Sequence, residues 1–327
     1  MPVIRIAGFP CAHASDWLGR VSLEVAVACL FAVVSGMNDG GALLATGLKL
    51  PTVRPIVGVL TLVLLTALVP LVSQQVAHTF VTRLAAFEGP GAGRAMTIAV
   101  LSAIAVVMVL SHHGRPTSLT LAIVGGLTGA GLGWGLEVSA GSVALVLAVG
   151  LAAPFAGALA AWATTRLLVA MTTSRGLRRW HWAGFALQCV AYAANDGQKM
   201  LAVFLIAVGS SGPSVSFTVA VLFGLGTMYG MPRAGRTLSR EILASRPLHG
   251  VAAELASGTT VIACAAAGMP VSMTQSIAGS LIGTGVAYGG GRVRWYAAVK
   301  IVVAWLLTLP AAGVLAAVAA ITVKGIS

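Results

Sequence analysis

The chain has 327 residues, of which 58% are hydrophobic and only 9% are charged. Soluble domains carry about 25% charged residues, so a soluble fold could not bury this much apolar surface, whereas a lipid bilayer accommodates it. The formal net charge is +12, but the arginines lie in short loops between apolar segments, which excludes a nucleic-acid-binding domain and is typical of membrane loops. The composition therefore predicts an all-α, polytopic membrane protein.

About ten apolar segments, separated by Gly, Pro and charged residues, are candidates for transmembrane helices. A helix rises 1.5 Å per residue, so a span needs about 20 apolar residues. The predicted segments are 22–48, 55–77, 95–111, 117–133, 142–168, 182–208, 214–231, 250–267, 271–288 and 296–322. The segment 117–133 is short and rich in glycine, and we expect it to be re-entrant or broken.

The distribution of basic residues predicts the orientation. Ten crossings would place both termini on one side, where five of the 20 Lys and Arg residues lie, against thirteen on the other side. Because basic loops stay in the cytoplasm, we expect both termini outside the inner (plasma) membrane. The loops 169–181 and 232–249 would then be cytoplasmic.

An internal repeat divides the apolar region into two halves. Asn38-Asp39 recurs as Asn195-Asp196 at an offset of 157 residues, and 114–131 matches 268–285 at an offset of 154, with nine identities in eighteen positions. Five crossings per half is an odd number, so the second half would enter from the opposite face. This inverted-topology repeat is common in secondary transporters. The predicted units are an N-terminal tail (1–21), transmembrane repeat 1 (22–171), a cytoplasmic linker (172–181) and transmembrane repeat 2 (182–323).

The two Asn-Asp pairs lie inside apolar segments, where charge is costly. A carboxylate at the bilayer centre costs about 2.5–3.5 kcal/mol, so a chain that keeps Asp39 and Asp196 there is expected to use them. Glycines beside them, such as Gly36 and Gly197, would let the helix break and free backbone carbonyls. Carbonyls and carboxylates together suit Na⁺ coordination or proton exchange. The alternative is that each Asp is a buried helix cap paired with a neighbour.

Two turns that begin with proline and carry hydroxyl groups form the second set of motifs. They read Pro116-Thr117-Ser118-Leu119-Thr120 and Pro270-Val271-Ser272-Met273-Thr274-Gln275. Proline at a helix start leaves the next N–H groups free, and a helix N-terminus attracts anions. Two such ends that face each other would hold a tetrahedral oxyanion from both sides. Ordinary capping by Ser and Thr is the alternative.

Three further polar residues are candidates for the same region. Lys199 follows Asp196 by three residues, so it could pair with that carboxylate along one helix face or help to hold the anion. Glu254 lies inside its apolar segment and is a candidate cation ligand or interhelical hydrogen-bonding group. His181 flanks a segment and is interpreted as interfacial.

These motifs, in this order, resemble the PiT family of inorganic phosphate transporters over nearly the whole chain. Each half of the family carries a G-x-N-D signature and a P-[TV]-S-x-[TS]-H loop followed by a Gly-rich helix. The signatures here are Gly36-Met37-Asn38-Asp39 and Ala194-Asn195-Asp196-Gly197-Gln198-Lys199, and the second is close to the bacterial form. The departures are Leu121 and Gln275 in place of the loop histidines, Ala42 in place of a second Asn, and Tyr192 where bacterial members often have His.

The resemblance implies a secondary active transporter that carries inorganic phosphate in symport with Na⁺ or H⁺ by alternating access, with the two halves rocking around the site. The residues assigned to phosphate are Thr117, Ser118, Thr120, Ser272, Thr274, Asn38 and Asn195. Those assigned to cation coupling are Asp39, Asp196 and Glu254, with Asp39 and Asp196 as Na⁺ ligands if transport is sodium-coupled. Those assigned supporting roles are Gln198, Lys199 and Gln275.

Two alternatives to phosphate symport remain open. One is a permease for sulfate or another oxyanion in the same superfamily, and the other is a non-transporting membrane sensor or assembly partner. The sequence contains no Walker motif, HExxH helix or Ser-His-Asp set, so we expect no enzyme and no cofactor. The expected partners are phosphate or sulfate, Na⁺ or H⁺ and the lipid bilayer, and the resemblance adds a PhoU-like cytosolic regulator. A homo-oligomer is a further expectation, and nucleic acid is not an expected partner.

Overall fold

The computed structural model describes residues 23–47, 52–113, 117–241, 247–291 and 293–326. The predicted tail 1–21 and Pro116 lie outside these ranges. Within them the chain forms thirteen α-helices and three π-helical turns. The helices are α1 (Leu23–Ser35), α2 (Gly41–Gly47), α3 (Pro55–Val72), α4 (Gln75–Thr79), α5 (Ala92–His112), α6 (Leu119–Trp134), α7 (Ala140–Met171), α8 (Ser174–Tyr192), α9 (Gln198–Val208), α10 (Pro213–Glu241), α11 (Pro247–Ala266), α12 (Met273–Val286) and α13 (Trp295–Ile326). The π-helical turns are Gly36–Gly40, Phe80–Leu84 and Ala193–Gly197.

Each of the ten predicted segments is helical along most of its length. Seven helical stretches in the described part of the chain are long and apolar enough to cross a membrane. They are Leu23–Leu44, Pro55–Val72, Ala92–His112, Ala140–Met171, Pro213–Met231, Pro247–Ala266 and Trp295–Ile326. Large apolar side chains cover the outside, as for Leu64 (58% exposed) and Phe155 (75% exposed), and so broad an apolar surface requires a lipid environment. The chain is a multi-pass, all-α membrane protein.

Two of the long helices are interrupted by π-helical turns at equivalent places. The turn Gly36–Gly40 joins α1 to α2, and the turn Ala193–Gly197 joins α8 to α9. Each contains one of the Asn-Asp pairs. Glycine is required at the first turn because a Cβ on Gly36 would lie 2.1 Å from the backbone oxygen of Phe223 in α10. π-Helical turns change the backbone hydrogen-bonding pattern and occur frequently at functional sites.

Helices α5 and α6 form one antiparallel hairpin, and α11 and α12 form another. Gly91, just before α5, lies so close to Trp134 at the end of α6 that a Cβ would be 2.0 Å from the indole Nε1. At the second hairpin the rings of His249 and Tyr288 are 4.9 Å apart. Helices α6 and α12 have 16 and 14 residues, which is about 24 and 21 Å, short of the ~30 Å hydrocarbon core. Both helices are therefore short for a full crossing, and the re-entrant course expected for 117–133 stays a prediction.

The hairpins pack across the two halves through small residues. Glycines along α6 contact the backbone of α13: a Cβ on Gly129 would lie 1.9 Å from the oxygen of Gly313. In the same way a Cβ on Gly283 in α12 would lie 2.0 Å from the oxygen of Ala158 in α7. Such close backbone approach is the usual basis of helix association in lipid. The hairpin of each half is thus held by the last helix of the other half.

With both hairpins re-entrant, each half would cross the membrane through an interrupted helix and two further helices. Repeat 1 supplies α1–α2, α3 and α7, and repeat 2 supplies α8–α9, α10 and α13. Three crossings per half would again be an odd number, so the inverted relation between the halves stays the prediction that it was for the ten segments of the sequence analysis. The 32-residue helices α7 and α13 each carry a proline near the middle, Pro154 and Pro310. The boundaries of the two repeats stay a prediction.

Candidate functional site

The two π-helical turns and the two hairpin tips converge in the protein interior. The tips are joined reciprocally: the Thr120 hydroxyl donates to the Val271 carbonyl oxygen at 3.0 Å, and the Thr274 hydroxyl donates to the Thr117 carbonyl oxygen at 3.2 Å. Thr120 and Thr274 are equivalent in the repeat, as are Thr117 and Val271. These two bonds are therefore related by the pseudo-two-fold axis, which passes between the tips.

The first Asn-Asp pair binds the first hairpin tip. The Asn38 Nδ2 donates to Asp39 Oδ1 at 2.8 Å and to the Thr117 carbonyl oxygen at 3.4 Å. The Asn38 Oδ1 accepts from the Thr117 hydroxyl at 3.3 Å and from the Ser111 hydroxyl at the end of α5 at 3.2 Å. Asp39 is 3% exposed. Asn38 thus orients a buried carboxylate and fixes it to the hairpin.

The second Asn-Asp pair repeats this arrangement on the second tip. The Asn195 Nδ2 donates to Asp196 Oδ2 at 3.1 Å and to the Val271 carbonyl oxygen at 2.7 Å. The Val271 N–H donates back to Asn195 Oδ1 at 3.1 Å. Both side chains are buried. Each asparagine therefore bonds both the neighbouring aspartate and the hairpin tip of its own half.

Lys199 lies between the two hairpin tips and is 3% exposed. Its Nζ donates to Asp196 Oδ1 at 2.8 Å, to the Thr120 hydroxyl at 2.7 Å and to the Val271 carbonyl oxygen. The predicted pairing with Asp196 is present, and the contacts with both tips are additional. They left no signal in the sequence, because one is to a backbone carbonyl and the other to a residue 79 positions away.

The serines of the hairpin tips cap the two short helices. The Ser118 hydroxyl accepts from the Leu121 N–H at 3.2 Å, and the Ser272 hydroxyl accepts from the Gln275 N–H at 3.4 Å. Ser272 also shares a 2.9 Å hydrogen bond with the Thr274 hydroxyl. The capping role that we considered for these residues is therefore present. It leaves the N-termini of α6 and α12, with their partial positive charge, at the centre of the protein.

The supporting glutamines have different surroundings. The Gln198 Oε1 accepts from the N–H groups of Val76 and Ala77 at 2.8 and 3.2 Å, so this side chain fastens the start of α4 to the second π-helical turn. Gln275 is 1% exposed, and its Oε1 is a buried oxygen with no hydrogen-bond partner among the described residues. Gln275 follows the second tip directly and retains an unused acceptor.

Glu254 lies away from the convergence of turns and tips. A Cβ on Gly184 would be 3.0 Å from the Glu254 Cβ, and Gly184 precedes Asn195 by about 16 Å along α8 at 1.5 Å per residue. The Glu254 Oε1 is instead 3.5 Å from His181 Nε2, and both side chains are 1% exposed. The structure therefore buries His181, which we interpreted as interfacial, beside Glu254.

Tyr192 was noted in the sequence only as a departure from the family pattern. Its hydroxyl lies 3.2 Å from the Ser35 hydroxyl, and its ring stacks on Phe223 with centroids 4.8 Å apart. Ser35 and Tyr192 are separated by 157 positions, the same offset as the two Asn-Asp pairs. This shared offset is the signal by which the sequence could have identified the contact as one across the pseudo-axis.

Comparisons with known proteins agree with this arrangement. A model of the phosphate transporter family matches residues 172–316. A Mycobacterium bovis protein described as "Probable low-affinity inorganic phosphate transporter" is 32% identical over 322 residues, covering 90% of this chain and 75% of that protein. A Rhizobium meliloti protein of the same description is 30% identical, covering 90% and 93% of the two chains. A solved structure titled "The sodium-dependent phosphate transporter" shares the fold with a TM-score of 0.77 at 17% identity, over 93% of this chain and 99% of the other.

Proposed function

The chain belongs to the phosphate transporter family, and from this premise we propose that it is a secondary active transporter of inorganic phosphate. Phosphate moves in symport with Na⁺ or H⁺ by alternating access. The observation that carries the proposal is the buried centre in which two helix N-termini and two carboxylates meet across a pseudo-two-fold axis. The alternatives, sulfate transport and a non-transporting sensor, gain no support from the relatives.

The hairpin tips are the proposed phosphate site. The N-termini of α6 and α12 offer partial positive charge to an anion, and the hydroxyls around them offer donors. The residues proposed to contact phosphate are Thr117, Ser118, Thr120, Ser272, Thr274, Asn38 and Asn195. Since these hydroxyls and amides now bond to one another, phosphate binding would exchange internal hydrogen bonds for bonds to the anion. Gln275, with its unused acceptor, is proposed to support a protonated phosphate oxygen.

The two aspartates are the proposed cation-coupling groups. Asp39 and Asp196 are both buried and each is held by its neighbouring asparagine. A carboxylate next to freed backbone carbonyls is a suitable ligand set for Na⁺ and a suitable proton acceptor. Glu254 remains a proposed coupling residue only at a distance, through its pairing with His181.

The distribution of basic residues bears on the orientation of the transporter and on its partners. We infer an inner-membrane location with both termini outside, so that the basic loops face the cytoplasm. These loops suit an acidic cytosolic regulator of the PhoU type or anionic lipid. A homo-oligomer remains part of the proposal.

The proposed function is tested by reconstitution in liposomes. Uptake of ³²P-labelled phosphate is expected under an imposed inward gradient of Na⁺ or H⁺, and excess sulfate should compete weakly. Asp39→Asn and Asp196→Asn should each reduce uptake strongly, while the exposed control Glu137→Gln should not. Normal uptake in both Asp variants, or no uptake by the natural chain under either gradient, contradicts the proposal.

A further inference from the structure

Lys199 uses all of its hydrogen-bonding capacity at the centre of the protein. An ammonium group has three N–H donors and no acceptor, and the three acceptors of Lys199 come from three different elements. Asp196 Oδ1 lies in the second π-helical turn, Thr120 Oγ1 at the first hairpin tip and the Val271 carbonyl at the second tip. We name these three oxygens the second-half oxygen cluster. Each of the three donors has an acceptor, and one of the acceptors is a carboxylate oxygen, so the hydrogen bond to Asp196 is charge-assisted.

The first half contains an equivalent set of oxygens. The Thr274 hydroxyl donates to the Thr117 carbonyl oxygen, and Asn38 Nδ2 bonds both that carbonyl and Asp39 Oδ1. Asp39, Thr274 and the Thr117 carbonyl are the repeat equivalents of Asp196, Thr120 and the Val271 carbonyl. We name them the first-half oxygen cluster. A carboxylate, a hydroxyl and a carbonyl therefore occur together twice.

The two clusters differ at one position. Counting back 157 residues from Lys199 gives Ala42, which is completely buried. A methyl group supplies neither charge nor hydrogen bonds. The second-half cluster thus contains a cationic side chain of the protein itself, whereas the methyl group at the equivalent position supplies no cation to the first-half cluster.

The chemistry of both clusters is that of an alkali-cation site. Carboxylate, hydroxyl and backbone carbonyl oxygens are ligands of hard cations, and carbonyls freed at helix breaks coordinate Na⁺ in transporters. On the basis of the proposed function, we propose that Lys199 is a tethered cation that permanently replaces one coupling cation. The mobile Na⁺ or H⁺ then binds only at the first-half oxygen cluster, through Asp39, and Asp196 takes part in coupling as the partner of Lys199. The protein requires one cation fewer per cycle than a symmetric site would.

The test is the number of Na⁺ ions bound by the purified protein in detergent without phosphate. Equilibrium binding of ²²Na⁺ at saturation should rise by one ion per chain in Lys199→Ala, which restores the equivalence with Ala42. Lys199→Arg keeps the positive charge and should bind no additional ion. Lys300→Ala removes an exposed lysine that lies over the Tyr296 ring and should match the natural chain. An unchanged number in Lys199→Ala contradicts the proposal.

A second measurement covers poor folding of the alanine variant. If the ammonium replaces a cation, Na⁺ should raise the melting temperatures of Lys199→Ala and Lys199→Asn more than that of the natural chain. Choline at equal ionic strength should not produce this difference. Equal responses to Na⁺ and choline contradict the proposal.

Phosphate uptake by the natural chain is measured separately, so the two ideas can fail independently. A gained Na⁺ site in Lys199→Ala alongside a natural chain that carries no phosphate would leave the tethered cation and remove the proposed function. Phosphate uptake by the natural chain, with no additional Na⁺ bound by Lys199→Ala, would support the proposed function and contradict the tethered cation.

Discussion

At the residue scale, the centre of the molecule is organised by the pairing of Lys199 with Asp196. Both side chains are almost completely buried and their charged atoms are 2.8 Å apart. Removing one partner of such a pair leaves an uncompensated charge, which costs about 3–5 kcal/mol, although the pair itself adds little net stability. The pair therefore contributes charge compensation at the centre, and each partner depends on the other.

We expect Asp196→Asn and Lys199→Met to lower the stability of the folded state by amounts that do not add. Each single change leaves one member of the pair without its partner, and the double variant removes both charges of the pair. Thermal unfolding of the two single variants and the double variant in detergent gives the coupling free energy by a double-mutant cycle. A double variant that loses the sum of both single effects would contradict this view of the pair.

The two equivalent threonines should differ in importance. Thr120 donates to the Val271 carbonyl and also accepts from Lys199, whereas Thr274 donates to the Thr117 carbonyl. Thr120→Val leaves a charged donor without its partner and should lower the free energy of unfolding by about 1–3 kcal/mol.

Thr274→Val serves as the matched comparison for Thr120→Val. It removes ordinary neutral hydrogen bonds and should cost about 0.5–1.5 kcal/mol. Unfolding of both variants under identical detergent conditions checks the order of their effects, and equal losses would count against the special role of Thr120.

At the element scale, the positions of the hairpins depend on glycines that face neighbouring backbones. Gly283 is a clear case, because a Cβ there would meet backbone atoms of Ala158 on α7 rather than a flexible side chain. Backbone cannot move aside without displacing the whole helix. The hairpin would have to shift, and its tip with it.

Gly283→Ala is therefore expected to lower both the melting temperature and the uptake of phosphate. The matched control is Gly150→Ala in α7, which is also buried but whose Cβ would have nothing within 4 Å. Alanine is the better helix former, so the control should keep or slightly raise the melting temperature. A Gly283 variant that behaves like the control would show that the close approach is not required.

Much of the fold could be predicted from the sequence. Long apolar segments separated by Gly, Pro and charged residues predict membrane helices by their length alone, without an amphipathic pattern. The Asn-Asp pairs and hydroxyl-rich turns were found because the repeat displays each of them twice. The hairpins were harder: 95–111 is as apolar as a crossing helix, and only the short, glycine-rich segment 117–133 indicated a re-entrant course. The packing of α5 against α6, with Gly91 beside Trp134, comes from the structure. The pairing of Glu254 with His181 joins residues 73 positions apart with no repeated pattern to indicate it.

At the scale of the whole molecule, the two hairpins should open toward opposite faces of the membrane. Helix α13 begins shortly after Gly291 and ends where the Lys324 ammonium bonds the Trp134 carbonyl at 2.6 Å. A 32-residue helix therefore separates the connection after α12 from the connection after α6. The short loops around Glu137 and Gly291 lie at its two ends.

This separation is tested by labelling in intact cells. In a chain whose native cysteines are replaced, Glu137→Cys should react with a membrane-impermeant maleimide from outside, and Gly291→Cys only after permeabilisation. Both positions are exposed, so a difference in labelling reports the membrane side. Labelling of both from the same side would overturn the inverted arrangement.

The exchange of packing partners between the halves determines which parts can travel together. Helix α6 packs against α13, and α12 packs against α7, with glycines in direct contact with the backbone of the neighbouring helix. The bodies that shift during a transport cycle must therefore each combine material from the beginning and the end of the gene. The short connections from α6 to α7 and from α12 to α13 link these bodies, and both contain glycines in the left-handed region, Gly135 in the first and Gly289 and Gly290 in the second.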